Sequence, residues 1–280
     1  MRMYRPSELH TFLKEKGLYA KKGLSQNFLI DGNIIQKILN AASIEKGDFV
    51  VEIGPGPGAL TQALLERGAK VLAIEMDPLF AKELERLQTP DMRLEVICQD
   101  ILTFPLKKRL CGQKGKVVAN LPYHITTPIL VQLLPLYGLI ESLTLMVQKE
   151  FAERMLAHPG SPHYSSFSVF VAFYADVVSH FSVSPNCFSP RPSVISSVMH
   201  CKLHLPALET EMEDFFRLTR TAFGQRRKML RSTLQSLYSK EAIEQALTSI
   251  HRPLTIRPEE LSLKEFILLY HFFLRDRNET

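Results

Sequence analysis

The chain contains no tryptophan, and its 280 residues include only four cysteines, Cys98, Cys111, Cys187 and Cys201. None of the four stands in a CxxC pair, and no histidine cluster at zinc-ligand spacing accompanies them. No disulfide framework and no metal are therefore expected, and free thiols suit a reducing cytoplasm. Apolar runs of membrane-spanning length are missing. The opening MRMYRPSELH lacks the apolar core of a secretory signal. A cytoplasmic protein without a membrane partner is expected. Internal repeats and low-complexity stretches are missing too, which argues against repeat architectures and long disordered tails.

What is present is an ordinary globular composition, 45% hydrophobic and 22% charged, with a net charge of +5. It suffices for a sizeable core in one large or two unequal domains. The basic excess permits a phosphate-rich partner without proving one.

After a basic, partly amphipathic opening, with Asp31 as the cap of a helix through Ala42, short apolar runs alternate with helical patterns. Strands are expected at Phe49–Ile53, Lys70–Ile74, Arg93–Cys98, Lys116–Ala119 and Leu143–Gln148. Helices are expected at Ala59–Arg67, Pro78–Leu87, Thr127–Leu134 and Lys149–Ala157. This alternation predicts an α/β fold with a parallel sheet covered on both faces. Val169–Val178 and Val194–Leu203 read as two closing antiparallel strands. Beyond Leu205 only helices are expected, at 211–237, 240–249 and 262–274. The expected division is an N-terminal segment 1–48, a main domain 49–205 and a helical domain 206–280.

In such sheets ligands bind beyond the carboxyl ends of the strands, so the residues after each strand carry the chemistry. After the first comes Glu52-Ile53-Gly54-Pro55-Gly56-Pro57-Gly58. Glycines let the chain turn tightly and approach a ligand closely. The GxGxG spacing, the prolines and the leading acid fit S-adenosylmethionine better than a dinucleotide. After the second strand, Glu75 can accept hydrogen bonds from both hydroxyls of a ribose. After the third, Asp100 can accept one from an adenine amino group. Asn120-Leu121-Pro122-Tyr123 follows the fourth. An adenine amino nitrogen is a poor nucleophile because its lone pair is delocalised into the ring. The Asn120 side-chain carbonyl and the Leu121 backbone carbonyl can each accept one of its N–H groups and aim the lone pair at a methyl donor. Pro122 stiffens the turn, and Tyr123 offers a face for a flipped base. His124 reads as a helix-start or packing residue, because the reaction needs no histidine base.

With these segments in order, the chain resembles the rRNA adenine dimethyltransferase family, and most of all its bacterial small-subunit branch. The resemblance begins at Lys22-Gly23-Leu24-Ser25-Gln26-Asn27-Phe28-Leu29 and runs to Phe188-Ser189-Pro190-Arg191-Pro192-Ser193-Val194 and the helical tail. It implies a Rossmann-like seven-stranded methyltransferase sheet with a small C-terminal all-helical domain. It implies cofactor contacts from Asn27, Leu29, Gly54, Gly56, Glu75, Asp100 and Asn120, and a base clamp of Tyr123 with Phe188. The implied reaction is N6,N6-dimethylation of two adjacent adenosines in the 3′-terminal hairpin loop of small-subunit (16S) rRNA, by a monomer. The chain departs from the family pattern at Ser25, often glycine, at Pro162 and Ser166, where basic residues are usual, and at Ile195, which replaces an acid. No role is carried over to the last three positions.

Arg217, Arg220, Arg226, Arg227, Lys228 and Arg231 fall within fifteen residues that contain no acid, which reads as a phosphate-contacting stripe. Lys21 and Lys22 form a smaller basic group with Lys14 and Lys16 near the mouth of the expected site. Three other functions stand beside this one: methylation of large-subunit rRNA or DNA, a largely non-catalytic assembly factor, and an NAD-dependent dehydrogenase, which the glycine spacing disfavours.

Overall fold

The structure is a computed structural model that describes residues 2–24, 26–91, 93–208, 212–225 and 227–279, with the side chains of Lys22 and residues 277–279 outside the description. The strands are β1 (Phe28–Leu29), β2 (Phe49–Ile53), β3 (Lys70–Glu75), β4 (Leu94–Cys98), β5 (Gly115–Asn120), β6 (Ile140–Gln148), β7 (Ala175–Val183), β8 (Phe188–Ser189) and β9 (Ser196–Leu203). The helices are α1 (Pro6–Glu15), α2 (Gly32–Ala41), α3 (Ala59–Glu66), α4 (Pro78–Leu84), α5 (Leu106–Leu110), α6 (Thr126–Leu133), α7 (Lys149–Leu156), α8 (Ser166–Tyr174), α9 (Met212–Phe223), α10 (Leu230–Thr233), α11 (Lys240–Ser249) and α12 (Leu263–Glu279).

The chain divides into two compact units. The first, Met1–Ala152 with Asp176–His204, holds a seven-stranded sheet in the order β4-β3-β2-β5-β6-β9-β7. β4, β3, β2, β5 and β6 are parallel, and β9 runs antiparallel to β6. Val50, Val51, Leu72, Ala73, Val117 and Val118 are buried. Such continuous apolar runs are what a sheet covered on both faces requires. Asp31 caps α2, accepting the N–H groups of Asn33 and Ile34 at 2.9 and 3.2 Å. From the N-terminal stretch, Met3, Leu9, Phe12, Leu18 and Phe28 join one core cluster with Leu60, Leu64 and Phe80. A small second sheet pairs β1 with β8, Leu29 opposite Phe188.

The second unit comprises Glu153–Ala175 and Leu205–Thr280. It therefore takes in a stretch that the sequence assigns to the main domain. Val169–Tyr174, read as strand, is helical as part of α8, and strand begins only at Ala175. The aromatic and β-branched run favours strand locally, but burial decides. Phe173 packs on Phe215 and Phe216 of α9 at 5.1 and 5.0 Å between ring centroids, and Ser165 with Ser168 closes a capping box at the helix start. The single long helix expected at 211–237 is instead α9 and the short α10, separated after Phe223.

Candidate active site

β2 delivers Glu52 and Ile53 to the carboxyl edge of the sheet, and the chain then turns through its glycines into α3. Gly56 has φ 54°, in the left-handed region, and a Cβ there would lie 3.1 Å from the Phe28 ring. Gly58, the N-cap of α3, has φ 86°, and a Cβ there would lie 2.7 Å from the Leu84 side chain. The left-handed conformation favours glycine at both positions, and any side chain would also have to displace the Phe28 ring or the Leu84 side chain.

Glu75 ends β3 and is 4% exposed. Its Oε2 accepts the Gly56 N–H at 2.9 Å and its Oε1 the Asp77 N–H at 2.8 Å. Burial raises its pKa, and these backbone donors oppose the rise. Each oxygen keeps a lone pair for a further donor. Asp77 caps α4 through Leu79 N–H at 3.1 Å, and its other oxygen lies 2.7 Å from Lys21 Nζ. That bond holds the Lys21 pKa above its usual value. Lys21, expected to touch RNA, thus pairs with a buried carboxylate two residues beyond Glu75, outside the cavity lining itself. Lys21→Met is expected to weaken S-adenosylmethionine binding about two- to fivefold, since the pair is partly exposed. Calorimetric titration checks this, and an unchanged affinity would show that the pair does not act through the cofactor.

Asp100 follows β4, and its Oδ1 accepts the Leu102 N–H at 2.9 Å, leaving the other oxygen for a further donor. Asn120 ends β5. Its Nδ2 donates to the Asn27 carbonyl at 2.9 Å, which leaves Oδ1 as the side chain's acceptor. Leu121 is buried and donates its N–H to the Met146 carbonyl at 3.2 Å. Pro122 has φ −61° and ψ 126°. The Tyr123 hydroxyl lies 2.8 Å from Ser196 Oγ, and burial raises its pKa, so it stays a neutral phenol at physiological pH.

These positions share one cavity of about 1100 Å³, its open mouth included. Asn27 and Leu29 line it from the N-terminal segment, Gly54 and Gly56 after β2, Glu75 at the end of β3, Asp100 after β4, and Asn120 to Tyr123 from the end of β5 onward. Phe188 is not part of the lining. It is 3% exposed and packs in the core cluster beside the β1 strand. Tyr123 is therefore the member of the expected clamp that reaches the cavity.

Two further lining residues, Met76 and Glu52, bear on the site although the sequence assigned neither a contact. Met76, beside Glu75, is 53% exposed at the cavity and offers an apolar face; its position just after a strand-end acid was the available signal. Glu52 is buried, with Oε2 unpartnered among the described residues. Burial pushes its pKa from 4.5 up to about 8, with the Glu75 charge adding to the rise and Thr61 hydrogen bonds opposing it. Between those two values the folded chain holds a proton that the unfolded chain has released. Stability therefore falls as pH rises through that window. Glu52→Gln is expected to flatten this part of the profile, read from denaturant midpoints across the window. Parallel profiles for both proteins would contradict the assignment.

The site fits S-adenosylmethionine: Glu75 and Asp100 offer acceptors for ribose and adenine, and Met76 an apolar surface.

In the helical unit, Arg220, Arg227 and Lys228 are exposed. Arg217 pairs with Asp214 at 3.0 Å, and Arg231 lies 4.0 Å from Glu244, so acids outside the basic stretch offset two of its charges. Arg226 and the Lys22 side chain lie outside the described residues.

A profile described as ribosomal RNA adenine dimethylase matches residues 17–271. The ribosomal RNA small subunit methyltransferase A of Protochlamydia amoebophila is 51% identical over 276 residues, covering 97% of each chain. That of Chlamydia trachomatis serovar L2 is 46% identical over 267 residues, covering 94% of this chain and 96% of the relative. Among solved structures, a dimethyladenosine transferase from Plasmodium falciparum superposes with TM-score 0.72 at 26% identity, over 89% of this chain and 98% of that one. The 23S rRNA methyltransferase ErmE superposes with TM-score 0.68 at 25% identity, over 88% and 99%. With its glycine turn, strand-end acids and Asn-Leu-Pro-Tyr turn around one cavity, and a profile match over most of its length, the chain belongs to the ribosomal RNA adenine dimethylase family.

Proposed function

We propose that this chain dimethylates N6 of two adjacent adenosines in the 3′-terminal hairpin loop of 16S rRNA, in small-subunit particles assembling in the cytoplasm. The observation that carries the reading is the orientation of Asn120. Its amide nitrogen is committed to the Asn27 carbonyl, so its oxygen is the atom left to accept an amino N–H at the cavity.

S-adenosylmethionine, when bound, supplies a methyl group on a sulfonium, an already activated leaving group. The chain's own residues position the reactants. Asn27, Leu29, Gly54, Gly56, Glu75 and Asp100 hold the cofactor. Asn120 Oδ1 and the Leu121 carbonyl each accept one N–H of the target amino group, drawing the nitrogen toward tetrahedral geometry. Tyr123 supports the flipped base by stacking. Phe188 would join it only by turning out of the core. No side-chain base is required, because the proton is lost from a nitrogen made acidic by methylation, and alignment carries most of the rate. Arg220, Arg227 and Lys228 contact phosphates, with Arg217, Arg226 and Arg231 adding to the same basic stretch. Binding should accordingly weaken as salt rises.

The test is transfer from labelled S-adenosylmethionine to unmodified small subunits, large subunits and DNA in parallel. Label confined to small-subunit RNA is expected. Label in large-subunit RNA would favour the second reading, which the likeness to ErmE motivates. The small-subunit reading is preferred because the relatives bearing that name are 51% and 46% identical, against 25% for ErmE.

A further inference from the structure

Ser196 is the first residue of β9 and is 0% exposed, yet it carries a hydroxyl. Its Oγ lies 2.8 Å from the Tyr123 hydroxyl. The bond spans the end of β6: β5, which leads into the Tyr123 turn, lies on one side of that strand and β9 on the other. Gln148 at the end of β6 pairs with Ser196. The other end of the turn is held on the same strand, where Leu121 N–H meets the Met146 carbonyl. The aromatic ring is thus fixed at its tip as well as at its backbone.

Stacking needs only the ring, and phenylalanine would supply it. A buried hydroxyl costs free energy unless it finds a partner. Two hydroxyls that satisfy each other at the cavity wall fix where the ring lies and add nothing to its stacking face. We propose that Ser196 is a positioning residue which, through the Tyr123 hydroxyl, governs how completely the reaction runs from mono- to dimethyladenosine. This rests on the reading of Tyr123 as the base's platform.

The reason lies in the count of N–H groups. Each transfer forms an N6–C bond, breaks the sulfonium C–S bond with its electron pair left on sulfur, and releases one N6 proton to water. Before the first transfer the amino group has two N–H groups for two acceptors, Asn120 Oδ1 and the Leu121 carbonyl. Before the second it has one, and a methyl group must be accommodated as well. The ring then carries a larger share of the positioning, so a loosened ring slows the second transfer more than the first.

Single-turnover reactions with saturating S-adenosylmethionine and small subunits, followed by nucleoside mass spectrometry, test this. Tyr123→Phe and Ser196→Ala should each lower the ratio of second to first transfer rate about fivefold, the effect of one lost hydrogen bond. Monomethyladenosine should accumulate. The double variant should be no worse than either single one, because both remove the same bond. An unchanged ratio, or fully additive losses, would overturn the proposal. Tyr123→Phe decides the matter alone if Ser196→Ala fails to fold. Tyr123→Ala separates the two readings. If it slows transfer while Tyr123→Phe and Ser196→Ala behave as wild type, only the Ser196 proposal falls; if it has no effect, the platform reading falls and the proposal with it.

Discussion

Asn120→Ala is expected to lower the rate of methyl transfer about 10²- to 10³-fold, the range seen when one preorganised hydrogen-bonding group is removed from a reacting centre. The side chain does two things. Its nitrogen ties the end of β5 to the Asn27 carbonyl, and its oxygen is the acceptor this bond leaves over in a residue that lines the cavity. Alanine removes both, so cofactor affinity should also fall, though by less than the rate. Asn120→Asp separates the two roles, because it keeps an acceptor at the cavity and loses the donor to Asn27. The check is single-turnover transfer alongside cofactor titration and thermal unfolding. A correctly folded Asn120→Ala protein with near-normal turnover would remove Asn120 from the reaction.

The second large effect is expected at Glu75. Its carboxylate accepts two backbone N–H groups, from Gly56 and Asp77, and has capacity for two ribose hydroxyls. A hydrogen bond to a charged group contributes about 1.5–3 kcal/mol. Losing two should weaken S-adenosylmethionine binding roughly 10²-fold or more. Glu75→Ala also releases the Gly56 N–H from its acceptor, which loosens the glycine turn. Glu75→Gln keeps the shape, but its amide nitrogen cannot accept, so one backbone donor loses its partner and the loss should be intermediate. Titration of both variants with S-adenosylmethionine and with its demethylated product checks the order. Equal affinity in wild type and Glu75→Ala would show that the ribose is held elsewhere.

Much of the cofactor end of this site is readable from sequence, because each of its residues follows a strand that announces itself. β2, β3 and β5 are continuous apolar runs, and the glycines or acids that end them mark the carboxyl edge of the sheet. What reads poorly depends on distant partners. β1 and β8 are two residues each and exist only because they pair with each other across most of the first unit. That pairing puts Phe188 in the core, where a motif comparison places it against the base. Lys21 reads as one of a basic group, and nothing local shows that a buried Asp77 waits for it. α8 reads as strand because its aromatic and β-branched residues prefer strand locally, and only packing on α9 overrides that preference. The hydroxyl pair of Tyr123 and Ser196 is of the same kind: each residue is ordinary in its own segment, and the bond joins the turn after β5 to a strand far away in the chain.

The most direct measurement is the identity and stoichiometry of the modified nucleoside after the purified protein has acted on unmodified small subunits. The account predicts N6,N6-dimethyladenosine, two residues per subunit, adjacent in the 3′-terminal hairpin loop. Monomethyladenosine as the end product, methylation at a ring nitrogen, or no modified adenosine in small-subunit rRNA would contradict it.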